Sequence, residues 1–494
     1  MTITSGPAAL LKHTDRLFIG GEWLAPSSGD RIQVSDSTTE EIFLEVAEAK
    51  ADDMGRAVAA AREAFDHGPW PGMTHAERAV FMRRIADGLL ARGEDIGQIW
   101  PRETGALHSV ATAAGRDGFD IFSYYAGQAE TFAWIKPMKP TFGESGLLIR
   151  EPVGVVGAII PWNSPMRLIG YKVAPALIAG CTVVLKASPE APGEAYVFAE
   201  AVEAAGLPPG VVNVVTADRA VSELLVRDPR VDKITFTGST AAGRTIGSIC
   251  GGRVARCTLE LGGKSAAVIL NDIDIAKTAT HLTRQECLLS GQSCSSLTRV
   301  IVPRRRHDEM VEALAEEFRR VRVGDPFDPA SQLGPLVSER QRARVEYYLA
   351  KGRQAGAVVA AGGGRPEHLP RGYYVEPTVF GNVDNSSTIA QEEIFGPVLT
   401  VIPADDEDHA VELANDTIYG LNASVFTDDL ERAVDIAGRL RSGTVGHNAF
   451  RTDFGIAFGG FKQSGIGREG GTEGLLPFLE TKTVILKGPS AKLP

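Results

Sequence analysis

From Val153 to Leu270 the chain alternates short β-branched runs with Ala-rich helical stretches, and no other feature constrains its fold as strongly. VGVVGAII (153–160), TVVLK (182–186), VVNVV (211–215) and DKITF (232–236) read as buried strands. Helical stretches fall between them: about Arg167–Ala179, Glu194–Ala205, Ser222–Val226, and one that starts at Thr240. Short strands separated by helices predict a parallel sheet covered on both faces, with ligands at the carboxyl ends of the strands. A second alternating set starts at SAAVIL (265–270), with helices expected over 274–288, 308–322 and 338–355 and strands near VVAAG and VLTVI. The predicted class is α/β, with two α/β units.

Two segments break this rhythm. FAWIKPMKPTFGESGLLIREP (132–152) carries Pro and Gly and has a two-stranded pattern. TKTVILK (481–487) is an isolated strand-like run after a Gly-rich stretch. An isolated strand must pair with something, and the 132–150 hairpin or another subunit is the expected partner.

Composition narrows the function. Lys+Arg total 51 against 62 Asp+Glu, a formal net charge of −11. The Arg-rich spots at 304–306 and 319–320 sit beside Asp308, Glu309, Glu316 and Glu317 and read as solvated helix flanks. Nucleic acid and anionic membranes are therefore poor partners. The N-terminal MTITSGPAALLKHTDR lacks the charged and apolar regions of a secretion leader, and no apolar run is long enough to span a bilayer. Five cysteines, an odd number with no CxxC pair, argue against a disulfide framework or a zinc site. A cytoplasmic location with reduced thiols, and no metal, are the expectations.

Several short motifs carry chemistry, each beside a plainer reading. Thr237-Gly238-Ser239-Thr240 follows a strand and opens a helix, as an anion site at a helix N-terminus would; a simple cap by Ser239 or Thr240 fits equally well. GSTAAGRT resembles a P-loop, but Arg244 stands where the phosphate-reaching Lys belongs, which argues against triphosphate hydrolysis. GIGREG (465–470) spells GxGxxG, yet no strand precedes it and no crossover helix follows, so it reads as a loop. Cys181, Cys250, Cys257 and Cys287 lie in apolar, strand-like or helical runs. Cys294 differs: it follows a helix among Gly and small polar residues, and is a nucleophile or an exposed bystander with equal weight. Glu260, between leucines and beside two glycines, is a general base raised by burial or one half of a salt bridge. Asn163, at the end of strand 153–160, is an oxyanion donor or a helix cap.

The combination is more specific than its parts. PWN (161–163), FTGSTxxG (236–243), LELGGK (259–264), GQSC (291–294), QEEIFGPV (391–398) and FGGxKxSGxGRE (458–469) occur in this order. Over essentially its whole length the chain resembles the NAD(P)-dependent aldehyde dehydrogenase superfamily. The resemblance implies a Rossmann-like coenzyme domain (1–130 and 151–260), a catalytic domain (261–470) and a small β oligomerisation segment (131–150 and 478–494). It implies that Cys294 attacks an aldehyde to give a thiohemiacetal, that Asn163 and the Cys294 N–H hold the oxyanion, and that Glu260 activates water against the resulting thioester. Lys172 and Glu469 match a proton relay to that Glu.

The same resemblance assigns the coenzyme residues. Ile159, Ile160, Pro161 and Trp162 would line the cleft, Lys186 would contact the adenosine ribose and Ser239 the pyrophosphate. Glu393 would hold the nicotinamide ribose beside Phe395, and Ser188, Gly210, Gly238 and Gly262 complete the set. Many NAD-using members place a Glu three residues after Lys186; here that position is Pro189, with Glu190 next. Glu190 would repel a 2′-phosphate, so NAD is expected over NADP. The partners implied are a small aldehyde and further copies of the chain, as a homodimer or homotetramer. A cysteine esterase or hydrolase, and a non-catalytic dinucleotide-binding protein on the same fold, are the alternatives.

Overall fold

This computed structural model describes residues 10–488. Its strands are β1 (Leu17–Ile19), β2 (Glu22–Leu24), β3 (Arg31–Ser35), β4 (Ile42–Ala47), β5 (Ile135–Met138), β6 (Ser145–Pro152), β7 (Val155–Ile159), β8 (Thr182–Ala187), β9 (Val212–Thr216), β10 (Lys233–Thr237) and β11 (Arg256–Glu260). They continue as β12 (Ala266–Ile269), β13 (Arg299–Pro303), β14 (Val358–Ala361), β15 (Thr378–Gly381), β16 (Val398–Ala404), β17 (Asn422–Phe426), β18 (Thr444–His447), β19 (Gly465–Ile466) and β20 (Leu479–Leu486).

The first sheet has the order β19-β11-β10-β7-β8-β9-β1-β2. Its five central strands are parallel, and apart from the start of β11 their residues are buried and mostly apolar because helices cover both faces. The parallel part starts at β7, builds outward through β8 and β9 toward β1 and β2, then returns to lay β10 and β11 on the other side. This reversal opens a crevice above the carboxyl ends of β7 and β10. The N-terminal third, on which the strand-and-helix alternation is silent, supplies much of the cover: helices Ala51–Asp66, His75–Ala91, Gly93–Thr104 and Ala114–Thr131.

Helix Pro165–Ala179 is buried on nearly every side, so it is apolar all round rather than striped. It starts with Pro at its first position, where no N–H is needed, and ends at Gly180, whose φ of 97° suits a residue without Cβ.

The second sheet, β14-β15-β16-β13-β12-β17-β18, is parallel apart from the β14–β15 pair. Leu261–Ser265 joins the carboxyl end of β11 to the amino end of β12, so the two sheets meet end to end. Arg299, fully buried, fastens this junction with bonds to the Lys264 carbonyl (2.9 Å), Asn385 Oδ1 (3.0 Å) and the carbonyls of Leu413 (2.8 Å) and Ala414 (2.7 Å).

Two boundaries differ from the sequence expectation. The second sheet ends at β18, and the chain then recrosses to add β19 antiparallel to β11, so 465–466 belong to the first sheet. GIGREG is thus partly a short edge strand, still with no crossover helix after it. TKTVILK lies in β20, which pairs with β6 along its whole length, from Leu479↔Pro152 to Leu486↔Ser145, in a β20-β6-β5 sheet. Residues 1–9 of the expected coenzyme unit and 489–494 of the expected assembly segment lie outside the described residues. Among the described residues no helix is long and apolar enough to cross a membrane.

Candidate active site

The site forms where the two sheets abut. The crevice over β7 and β10 is a cleft of ≈ 920 Å³ lined by Ile159, Ile160, Pro161, Trp162, Lys186, Ser188, Glu190, Gly238 and Ser239, among others. A chamber of ≈ 420 Å³, lined by Asn163, Cys294, Glu393 and Phe395, shares Pro161, Trp162, Thr237, Gly238, Ser239 and Arg340 with it. Together they make one elongated trough from Lys186 to Cys294.

Cys294 reaches the chamber on a strained loop. Leu289, Ser290 and Gly291 have φ of 53°, 56° and 70°, three left-handed residues in succession. The loop is held in that shape from several sides. Ser290 Oγ donates to the Gly334 carbonyl at 2.9 Å. A Cβ on Gly291 would lie 2.4 Å from the Gly396 carbonyl carbon, so only glycine fits. The buried Gln292 side chain donates to the Thr104 carbonyl (3.1 Å) and accepts from the Val337 N–H (2.9 Å). The Gln292 carbonyl accepts from Asn163 Nδ2 at 3.0 Å, which brings Asn163 against the cysteine loop. An amide carries two N–H groups, so one remains to donate elsewhere. Cys294 is half-buried, and burial, then the carboxylates of Glu393 and Glu260, pushes its thiol up.

Glu260 ends β11 and is buried, with neither carboxylate oxygen hydrogen-bonded within the protein. Gly459 makes room for it: a Cβ there would lie 2.5 Å from Glu260 Oε1. Burial raises the Glu260 carboxyl well above the usual range; Glu469 adds to the rise, and Lys172 and Arg468 oppose it. Lys172, wholly buried, pairs with Glu469 and donates to Thr237 Oγ1 at 2.6 Å. The five expected catalytic residues thus converge from four separate stretches of chain.

Glu393 accepts from the Gly263 N–H at 3.1 Å, and burial raises its carboxyl to about 7. Gly262 acts through Glu393: a Cβ on it would lie 2.6 Å from Glu393 Oε2. Phe395, at φ 64°, meets Trp162 edge-on, with ring centroids 5.4 Å apart. Lys186 is buried at the end of β8, and burial lowers its ammonium to about 8.

Gly210 is the exception among the expected coenzyme residues. It precedes β9, at the amino edge of the first sheet, and packs on Ala60 and Ala64; the trough lies at the opposite edge. Its φ of 78° accounts for the glycine. Gln341 and Arg344 line the chamber, and sequence reasoning missed them. Their helix, Glu339–Gln354, was legible, but nothing local marks its first turn as facing a ligand. Gln292 lay within a quoted motif whose anchoring role needed coordinates.

The residues present fit a dinucleotide. Helix Thr240–Gly252 points its N-terminus into the middle of the trough behind side-chain-free Gly238, with Ser239 lining the cleft and capping the helix by accepting from the Ala242 N–H. Carboxylates and a cation lie toward one end, and the thiol lies at the other. Among the described residues no cluster of His, Cys, Asp or Glu could hold a metal.

The model of the aldehyde dehydrogenase family matches residues 23–484. The chain belongs to that family. Geranial dehydrogenase of Castellaniella defragrans is 44% identical over 474 residues, covering 96% of this chain and 98% of the relative. A Mycobacterium tuberculosis aldehyde dehydrogenase complexed with NAD+ superposes with a TM-score of 0.94 at 44% identity, over 97% of this chain and 99% of that one. A cysteine-to-alanine variant of aldehyde dehydrogenase C from Pseudomonas syringae, complexed with NAD+ and octanal, gives 0.93 at 39% identity, over 98% and 99%. The enzyme is an oxidoreductase of this family, oxidising an aldehyde to the acid with a nicotinamide dinucleotide.

Proposed function

We propose that the reaction runs on Cys294 with Glu260 as general base, and the observation that carries this reading is a thiol lining the chamber at the end of the coenzyme trough with the buried, unpaired Glu260 carboxylate near enough to raise it. The Cys294 sulfur adds to the aldehyde carbon, and its proton leaves to a nearby base. The negative oxygen of the thiohemiacetal lies against the free Asn163 N–H and the Cys294 main-chain N–H. Oxidised nicotinamide, when bound, supplies the hydride acceptor and a positive charge that favours the thiolate. Once the adduct is oxidised to a thioester, Glu260 takes a proton from water, the water oxygen adds to the acyl carbon, and Cys294 departs as the acid is released. Lys172 and Glu469 hold or pass on the proton that Glu260 acquires. A metal has no part in this scheme.

NAD is the preferred coenzyme, because Glu190 lines the ribose end of the trough. The trough residues Ile159, Ile160, Pro161, Trp162, Lys186, Ser188, Gly238, Ser239, Glu393 and Phe395 bind it, and Gly262 shapes its wall. The aldehyde has a neutral, apolar tail. Arg167, one turn beyond Asn163, is the cation that an acidic tail would need, but Asp117 takes it at 2.7 Å. One relative is named for geranial and one was crystallised with octanal, while others are named for betaine aldehyde and 3-succinoylsemialdehyde-pyridine. The enzyme works as a homo-oligomer in the cytoplasm, where its five free cysteines stay reduced.

The test is to mix the enzyme with NAD and follow reduced nicotinamide across linear and terpenoid aldehydes and a carboxylate-bearing semialdehyde. Turnover is expected with the first two groups and is to be lost in Cys294→Ala, whose NAD affinity stays close to that of the parent. Ester hydrolysis without any coenzyme reduction would select the hydrolase reading instead. Faster turnover of the semialdehyde would reject the apolar tail.

A further inference from the structure

An ion pair spans the trough. Arg340, in the first turn of helix Glu339–Gln354 in the second unit, donates to Glu190 Oε1 at 2.8 Å; Glu190 follows β8 in the first unit. Ser188 Oγ donates to the other carboxylate oxygen, Glu190 Oε2, at 2.5 Å. Both residues of the pair line the cleft.

The position of the pair gives it a role. A dinucleotide with its nicotinamide at Cys294 and its pyrophosphate at the N-terminus of helix Thr240–Gly252 has its other ribose among Lys186, Ser188 and Glu190. A lone carboxylate there would accept from a 2′-hydroxyl and repel a 2′-phosphate. Here the carboxylate already has donors on both oxygens, and a guanidinium offsets part of its charge. The Arg340 side chain is 81% exposed and the Glu190 side chain 27%, so little packing fixes the arginine where it is. An exposed pair of this kind is weak. A guanidinium on a phosphate makes charge-assisted, bidentate bonds, which are among the strong ones. Exchange of Glu190 for a phosphate is thus downhill for Arg340, while Ser188 keeps Glu190 hydrogen-bonded.

We propose that Arg340 is a coenzyme-selectivity residue: it leaves Glu190 to take a 2′-phosphate, so that the enzyme binds NADP as well as its preferred NAD. This rests on the placement of the coenzyme in the proposed function. Arg219 is a second exposed cation at the same end of the cleft and is the competing candidate.

The test is calorimetric titration of the full-length enzyme with NAD and with NADP, for the parent and the variants R340A, R340K, E190Q and R219A. The parent should bind both. R340A should raise the ratio of the NADP to the NAD dissociation constant about tenfold, the loss of one charge-assisted contact. R340K should recover part of that loss, and E190Q should lower the ratio below that of the parent. An unchanged ratio in R340A, a rise in R219A in its place, or a parent that binds NAD and not NADP would overturn the assignment. A parent that binds neither would overturn the coenzyme reading on which it rests.

Discussion

Glu260 is a carboxylate placed where its charge is costly, and that cost would suit it to the proposed role of accepting a proton from water. Because its pKa lies above the ordinary range, the base form grows in as pH rises, and thioester hydrolysis should rise with it. Glu260→Gln should keep the first burst of coenzyme reduction, lower steady turnover by about 10²–10⁴-fold and flatten that pH limb. Rapid-mixing absorbance across pH separates the phases; a lost burst with unimpaired steady turnover would reject the role. At this scale the sequence picked out residues that the fold brings together, and said little of how each is held. Cys294, Glu260 and Asn163 were each ambiguous alone, and only the order of motifs singled them out. The pairing of Lys172 with Glu469, 297 positions apart, has no local signature. Gly210 was misplaced because a glycine needed for a left-handed turn looks the same in sequence as one that clears space for a ligand.

Among the elements, helix Pro165–Ala179 bears most directly on the proposed site, because it begins two residues after Asn163 and carries Lys172. Its own N-cap, Ser164, makes no side-chain cap; instead Glu194 on the next helix accepts from the Met166 N–H at 2.8 Å. Burial raises the Glu194 carboxyl to about 8, so the folded protein holds a proton there that the unfolded chain releases near its ordinary value of 4.5. Folded stability from this group is therefore complete below about 4.5 and falls as pH rises toward 8. Glu194→Gln keeps the acceptor and removes the titration. Its melting temperature should match the parent at pH 5 and exceed it increasingly up to about pH 8, then run parallel. Relative to Glu194→Gln, Glu194→Ala, which strands the Met166 N–H, should cost about 1–3 kcal/mol at every pH. Equal pH dependence in parent and Gln variant would exclude this linkage. The helices and parallel strands from 153 onward were legible because their periodicities differ and each repeats. The early helices, which cover the first sheet, stand outside that alternation. The two residues of β19 are too few to leave a pattern at all.

On the scale of the whole molecule, the three-stranded β20-β6-β5 sheet has open edges at β20 and β5, with Ile485 and Met138 exposed. Unpaired edges with apolar side chains suit pairing between copies. Deletion of 481–494 should lower the assembled mass seen by sedimentation, with activity falling as subunits separate. An unchanged sedimentation coefficient would count against this segment as the contact. The sequence expected the final strand to pair with the 132–150 hairpin or with another subunit, and the hairpin is the partner within one chain. Two α/β units were legible from their alternation, but the return of the chain to the first was not, since a crossing between sheets leaves no mark on local composition.

That return couples synthesis to chemistry. Lys172 is enclosed early in the sequence, while its counter-charge Glu469 and the strand covering the outer side of β11 arrive only near the end. A ribosome that stalls before Gly465 would leave a nascent chain with a raw sheet edge and an uncompensated ammonium in its interior, a species for chaperones and proteases. Residues 465–469 thus both close the edge of the first sheet and supply the counter-charge of Lys172.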